Sequence, residues 1–236
     1  MSGASGRPKR FYKAVDVEPR EGRYGLLLDG KPAKTASRKG LSAPTEALAR
    51  AVAGEWEAQK EFIDRHAMPL TGILSASIDG GATLAGECRE DILNYLQSDL
   101  VCYRAEIPAA LAERQAAVWN PYIDFMRSEF GALLVTTSGI VTVGQPATSV
   151  AAVRRALAPL TVERLFALRI ATAISGSAVL ALALWKKAFG AEAIFEASRV
   201  DERFQQERWG VDEEAAEREA RLQRDFLTAA HFLALL

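Results

Sequence analysis

The segment LFALRIATAISGSAVLALALW, residues 165–185, decides the fold class because it is the longest predominantly apolar stretch of the chain. Its length would be enough to span a bilayer. However, Arg169 would cost about 2.5–3.5 kcal/mol at a central position in a membrane, and Ser175-Gly176-Ser177 places polar groups in the middle. Thr161 and Glu163 precede the segment as the N-cap and first turn of a soluble helix would. We therefore predict a helix that is buried on all sides at the centre of a helical domain.

Helical periodicity continues on both sides of this segment. The pattern predicts helices over 147–158, 162–187, 191–209 and 213–235. Gly176, which costs about 1 kcal/mol in a helix interior, is expected where a neighbouring helix crosses closely. Asn120-Pro121 is expected to supply the cap and the first-turn proline of a new helix. Residues 133–146, rich in Val and Thr and ended by Gly and Pro, predict an extended segment.

The N-terminal part of the chain has the two-residue periodicity of strands. Within residues 11–35, apolar runs end at the turn sequences EPREG (18–22) and DGKP (29–32). A third short strand is expected at 33–35. The pattern predicts a small antiparallel meander.

The period becomes helical after this meander. Ser42 or Thr45 can cap a helix that carries Trp56 on its apolar face. The predicted fold class is therefore α+β, with a small antiparallel β-rich N-terminal domain followed by a larger C-terminal helical bundle. We place the two domains at residues 1–75 and 76–236.

Composition and charge narrow the functional class. The 236 residues are 49% hydrophobic and 25% charged, with a formal net charge of −1, which is typical of a globular protein and gives no reason to expect nucleic acid or an acidic membrane as a partner. Residues 1–40 carry ten basic and four acidic side chains, whereas residues 201–225 carry five basic and nine acidic ones. Such unlike ends can orient a molecule on a partner. Cys88 and Cys102 are expected to be buried free thiols, and the N-terminus has no targeting pattern, which favours the cytoplasm.

Motifs for catalysis or cofactor binding are not convincing. The sequence GLLLDGK (25–31) matches the spacing of a phosphate-binding loop, but Pro32 follows it and LLLD is typical of a strand. His66 and His231, the only imidazoles, have no second metal ligand at suitable spacing. No GxSxG sequence is present. We therefore predict no catalytic residue, no metal and no cofactor.

The acidic segment RVDERFQQERWGVDEEAAERE (199–219) leaves two interpretations open. A catalytic carboxylate pair needs one desolvated member with a raised pKa, yet arginines alternate with these acids and would favour their charged form. Gly210 is expected to end one helix, and the acids at 212–214 to cap the next. Glu207 is expected on or beside the buried helix face. Trp209, at the helix end, fits either an interaction hot spot or a capping contact.

Seven blocks of the sequence resemble the F1-ATP synthase assembly chaperones that protect the free α subunit. The resemblance covers nearly the whole chain in order, with two departures: Ala36, where the family usually has proline, and His66, which stands at a variable position and is given no role. The blocks are KRFYKAVDVE (9–18), LLLDGKPAKT (26–35), LSAPTEALARAVAGEWEAQ (41–59), IDRHAMPLT (63–71), DLVCYRAE (99–106), RQAAVWNPYIDF (114–125) and SRVDERFQQERWG (198–210).

The resemblance implies a two-domain α+β protein that is not an enzyme, binds the F1-ATP synthase α subunit before it meets β, and has no nucleic-acid partner and no stable membrane insertion. We expect a monomer when it is free, in the bacterial cytoplasm, or in the mitochondrial matrix if the chain is eukaryotic and already processed. The family's acidic position matches Glu207 and its tryptophan matches Trp56. The predicted partner-binding residues are Glu207, Trp209, Gln205, Glu202, Asp212 and Trp56.

Two other functions remain open from the sequence. One is a helical adaptor for a different protein partner. The other is a carboxylate-dependent hydrolase, which predicts two acids converging within roughly 5–10 Å in a deep pocket.

Overall fold

The computed structural model describes residues 7–139, 143–210 and 212–236. These residues form two compact units. The first unit contains the described residues up to Leu84 together with His231–Leu236, and the second is Ala85–Ala230. A small antiparallel sheet lies in the N-terminal part and helices make up the C-terminal part, so the α+β prediction is confirmed.

The sheet of the first unit is built from two tight hairpins. Its strands are β1 (Val15–Arg20), β2 (Arg23–Leu28), β3 (Lys31–Pro32) and β4 (Ser42–Ala43). Both hairpin loops have two residues, Glu21-Gly22 and Asp29-Gly30, and all four have positive φ, which is the geometry that matches the right-handed twist of paired strands. The antiparallel meander is confirmed, but β1 continues to Arg20 and the third strand is Lys31–Pro32, not 33–35.

One helix and the first part of a second one, as far as Leu84, also belong to the first unit. Helix α1 (Glu46–Glu57) begins where Leu48 N donates to Thr45 Oγ1 at 3.2 Å, so Thr45 is the cap and Ser42 lies in β4. Helix α2 (Pro69–Gln97) is interrupted at Gly81, whose φ of 54° and ψ of −140° are not helical. Apolar residues follow helical spacing up to Gly80-Gly81 and again from Leu84 onward. This spacing predicts two helices separated by the glycines, and the break at Gly81 agrees with that.

The second unit is mainly helical. Its elements are α3 (Ala109–Phe130), α4 (Ala147–Leu157), α5 (Val162–Ser175), α6 (Ala178–Trp185), α7 (Ala191–Ala197), α8 (Val200–Trp209), most of α9 (Glu213–Ala234), and a parallel pair of two-residue strands, β5 (Tyr103–Arg104) and β6 (Thr137–Ser138). Of the predicted extended segment 133–146, residues 137–138 form β6, and 140–142 lie outside the described residues.

The long apolar segment forms two helices, not one. Gly176 ends α5 in the left-handed conformation with φ 68°, a conformation that costs other residues more than glycine, and Ser177 caps α6. The prediction of one helix over 162–187 is therefore wrong, although burial is confirmed for α6, in which Ala178 through Leu184 are buried. No helix within the described ranges is long and apolar enough to cross a membrane.

Two further boundaries differ from the sequence analysis. The expected helix 191–209 is divided at Ser198 and Arg199, where the Ser198 hydroxyl donates to Phe195 O at 2.6 Å and competes with helix continuation. Asn120-Pro121 does not begin a helix, because α3 runs through it. Proline removes only one helical hydrogen bond, and buried Trp119 and Tyr122 on either side hold the helix in place.

Asp99 fixes the beginning of α6 from inside the second unit. Its carboxylate accepts from the Ser177 hydroxyl at 2.5 Å, from Val179 N at 3.0 Å and from Val101 N at 3.2 Å, and the side chain is fully buried. Burial raises the pKa of Asp99 to about 6, against the lowering effect of these hydrogen bonds. The carboxylate satisfies donors that would otherwise be buried without partners.

The two cysteines agree with the sequence analysis. Cys88 and Cys102 are both free and buried. Burial raises the pKa of the Cys102 thiol to about 12, which keeps it protonated and unreactive.

Candidate functional site

Helix α8 and its two ends carry five of the six predicted partner-binding residues. Glu202, Gln205, Glu207 and Trp209 lie on α8, and Asp212 lies just before α9. Val200 and Phe204 are the buried residues of α8, and α8 packs against α3. The sixth residue, Trp56, belongs to α1 in the first unit.

Glu207 makes a two-pronged ion pair with Arg114 of α3. Arg114 Nη1 donates to Glu207 Oε1 at 2.7 Å, and Nη2 donates to Oε2 at 2.8 Å. The Glu207 side chain remains 59% exposed, so it lies beside the buried face of α8, as predicted, but in contact with solvent. The arginine lowers the pKa of Glu207, which keeps the carboxylate charged at neutral pH.

Two guanidinium groups cover the ring of Phe204. Arg208 lies 4.2 Å and Arg114 lies 5.3 Å from the ring centre, both within the range of a cation–π contact. Arg114 therefore contacts both the Glu207 carboxylate and the face of a buried aromatic ring, which restricts its motion. This surface is preorganised, and a partner would lose less side-chain entropy on binding it.

Trp209 is the exposed large hydrophobic side chain of α8. It ends α8 and is 79% exposed, so it does not make the capping contact that the sequence left open. Gly210 follows with φ 82° and ends the helix, as predicted. Asp212 accepts from Ala215 N at 3.2 Å, which gives this predicted site residue a helix-capping role as well.

A cavity of about 380 Å³ opens on the other side of α8. Glu202 and Gln205 line it together with Asp201 and Trp119. Glu202 is paired with Arg199 at 3.0 Å. Asp201 Oδ1 accepts from Gln115 Nε2 at 2.6 Å, so both acids are held by neighbours.

Arg203 ties α8 to its neighbours. It pairs with Glu196 of α7 at 2.8 Å and with Glu219 of α9 at 2.5 Å. The ion pair lowers the pKa of Glu196 and raises that of Arg203. Glu196 and Glu207 thus have lowered pKa values, the opposite of what a general acid needs.

Trp56 lies at the end of α1 and is partly exposed. Its ring centre is 5.5 Å from that of Tyr12, whose hydroxyl donates to Trp56 O at 2.7 Å. Ile63 and Met68 line a cavity with it, together with Lys34 and Arg65, so its surroundings are apolar and basic and differ from the mixed charges at α8.

Two residues of the α8 surface were not selected from the sequence. Arg114 and Gln115 lie 93 and 86 residues before their respective partners Glu207 and Asp201. Local spacing does not reveal such pairs. Both residues lie in the block RQAAVWNPYIDF (114–125). The family resemblance of this block was the signal in the sequence that could have pointed to them. Among the described residues, no group of three or more His, Cys, Asp or Glu could hold a metal ion.

Comparison with known proteins identifies the family. The family model described as "ATP12 chaperone protein" matches residues 9–127. Protein atp12, mitochondrial, of Schizosaccharomyces pombe is 24% identical over 221 residues, which cover 89% of this chain and 76% of that protein.

Two solved structures have the same fold over almost the whole chain. Atp12 from Paracoccus denitrificans has a TM-score of 0.93 and 36% identity, covering 97% of this chain and 98% of that one. Atu1473 from Agrobacterium tumefaciens, described as a chaperone candidate, has a TM-score of 0.92 and 40% identity, covering 96% of this chain and 85% of that one. With the family model spanning half of the sequence and the fold matched from end to end, the chain belongs to the ATP12 chaperone family.

Proposed function

We propose that this protein binds the free α subunit of F1-ATP synthase and delivers it into the α/β hexamer. The observation that carries the proposal is the exposed Trp209 next to the preorganised Glu207–Arg114 pair. Exposed aromatics with arginine nearby are typical of interaction hot spots. The resemblance of the sequence blocks to chaperones of the α subunit supports α as the partner.

The surface at α8 has the properties expected of a surface that binds another protein reversibly. A free subunit exposes apolar interface surface that promotes aggregation. Trp209 offers an apolar contact, and the surrounding ion pairs offer a charged rim. We propose that Glu207, Trp209, Gln205, Glu202 and Asp212 contact α where β later binds, and that competition by β releases α without ATP hydrolysis.

The alternatives are less well supported. A hydrolase needs a carboxyl group with a raised pKa beside a second acid, whereas Glu196 and Glu207 have lowered pKa values and are held by arginines. Asp99 does have a raised pKa, but it is fully buried and accepts from donors at the beginning of α6. An adaptor for another partner would use the same kind of surface, and only the identity of the captured protein separates it from the proposed function. We propose the bacterial cytoplasm as its location, which the origin of the solved relatives in Paracoccus and Agrobacterium supports, and the mitochondrial matrix if the chain is eukaryotic, as for the relative from Schizosaccharomyces pombe.

Co-expression with α in the absence of β tests the proposal. We expect α to remain soluble in a one-to-one complex with this chain and to precipitate without it, because the chaperone covers its exposed interface. The measurements are the soluble fraction of α and the mass of the purified complex. Equal precipitation of α with and without the chain would contradict the proposal.

A further inference from the structure

A groove in the first unit has no role in the site at α8. It consists of two cavities of about 490 and 460 Å³ that share Phe11, Lys34 and Trp56. We call it the Trp56 groove. Ile63 and Met68 line the larger cavity, and Leu28 and Pro32 line the smaller one, so its floor is mainly apolar.

Two aromatic residues of the Trp56 groove lack some contacts: Phe11 is exposed, and the indole N–H of Trp56 has no hydrogen-bond acceptor among the described residues. Phe11 is 71% exposed, although it makes an edge contact with Tyr12 at 5.3 Å between ring centres. The indole Nε1 of Trp56 is buried and has no hydrogen-bond partner in the part of the chain that the structure describes. An unpartnered buried donor costs about 1–3 kcal/mol, and an acceptor brought by a ligand would remove that cost.

The rim of the Trp56 groove is positively charged. Lys31 and Lys34 border the smaller cavity, and Lys34 and Arg65 border the larger one. Within the described ranges, none of these three cations forms an ion pair. The single acid that lines either cavity, Asp29, accepts through Oδ1 from the backbone N–H groups of residues 13 and 14 at 2.9 and 2.8 Å. The three cations outnumber it, so the rim keeps a positive charge.

We propose that the Trp56 groove binds an extended segment of another polypeptide that carries a large apolar side chain next to acidic side chains. The apolar side chain fills the cavity beside Phe11 and Trp56, and the acids face the lysine and arginine rim. Charge complementarity selects an acidic segment over a basic one. The inference rests on the proposed function in so far as the chaperone holds a polypeptide, and it adds a second contact region of opposite charge to the acidic segment 201–225.

The test uses the full-length protein and a fluorescein-labelled dodecapeptide in which Phe and Leu are flanked by glutamates. Fluorescence anisotropy measures binding. The matched control peptide has lysine in place of each glutamate. We expect the acidic peptide to bind at least about tenfold more tightly, a difference of about 1.4 kcal/mol, and to lose affinity as salt is raised.

Two substitutions locate the binding. Phe11→Ser and Lys34→Glu each change an exposed side chain of the groove. Each is expected to lower the affinity for the acidic peptide by about fivefold or more. Phe62→Ser and Lys60→Glu change an aromatic and a lysine of the same unit that do not line the groove, and should leave binding unchanged. Equal binding of the two peptides, or full affinity in both groove variants, would overturn the proposal.

The outcome is independent of the identity of the chaperone's client. If α precipitates with and without the chain but the acidic peptide still binds in the groove, the proposed function fails and the groove proposal stands. If α is held but the peptide results are negative, the groove proposal fails alone. Sedimentation at the working concentration detects a second copy: a dimer dissociated by Phe11→Ser, with no peptide binding, would assign the groove to self-association and overturn the proposal.

Discussion

Glu207→Lys is expected to weaken capture of free α by at least about tenfold while the protein stays folded. Arg114 occupies one acceptor direction on each oxygen of Glu207. A carboxylate has about four such directions, so the exposed remainder can accept from cations of the partner. Lysine would remove this acceptor and place a third positive charge beside Arg114 and Arg208. The measurement is the fraction of α that is retained by the tagged chaperone at increasing salt.

A charge exchange separates a contact role from a structural one. The double variant Arg114→Glu with Glu207→Arg restores an ion pair between α3 and α8, but the acid now lies on α3 and the arginine on α8. If Glu207 touches the partner, the double variant stays defective. Recovery of α capture in the double variant would show that only the internal pair matters. Thermal unfolding should change little in any of these variants, because exposed ion pairs contribute little to stability.

Asp99→Ala is expected to produce the largest loss of stability, on the order of 2–4 kcal/mol at neutral pH. The substitution leaves the Ser177 hydroxyl and the N–H groups of Val101 and Val179 without their acceptor in a fully buried place. The beginning of α6 would keep Ser177 as its cap but lose the carboxylate that holds the Ser177 hydroxyl and accepts from Val179 N. Asp225→Ala, which removes an exposed aspartate of α9, is the matched control and should be close to neutral. Denaturant unfolding of the second unit measures both.

The same residue predicts a defined pH dependence. The pKa of Asp99 is about 6 in the folded protein and 3.8 in the reference state, so the folded state binds the proton more tightly. The part of its contribution to stability that depends on the bound proton is fully present below about pH 4 and is lost as the pH rises through 6, whereas the hydrogen bonds from Val101 and Val179 to the carboxylate remain. The free-energy difference between wild type and Asp99→Ala should therefore be larger at pH 4 than at pH 8 by roughly 2 kcal/mol. A difference that stays constant or grows with pH would contradict the raised pKa.

Local sequence signals predicted the elements whose boundaries depend on local chemistry. Thr45 caps α1, Asp29-Gly30 forms a hairpin turn, and Gly210 ends α8, each because a side chain or a positive φ acts within a few residues. The break in the long apolar segment was missed because burial hides periodicity: α6 is buried on all sides and gives no amphipathic pattern. Its cap depends on Asp99, which lies 78 residues before Ser177.

In the candidate site, too, local features could be predicted from the sequence, whereas contacts between distant residues could not. Glu207 and Trp209 were selected because charge and an aromatic residue at a helix end are visible in the sequence. The exposure of Trp209 decided between a capping contact and a free surface, and only the folded chain shows it. The two-pronged pair with Arg114 depends on how α3 packs against α8, which local patterns do not encode. The unpartnered Nε1 of Trp56 is also a property of packing.

The central claim is that this chaperone covers the surface of α to which β later binds. The most direct measurement starts from the purified complex with α, adds β in the presence of a non-hydrolysable nucleotide, and follows the α that remains on the tagged chaperone. The account predicts that α leaves the chaperone and joins β at a rate that rises with the concentration of β. Retention of α in the presence of excess β, or release only when ATP is hydrolysed, would contradict it.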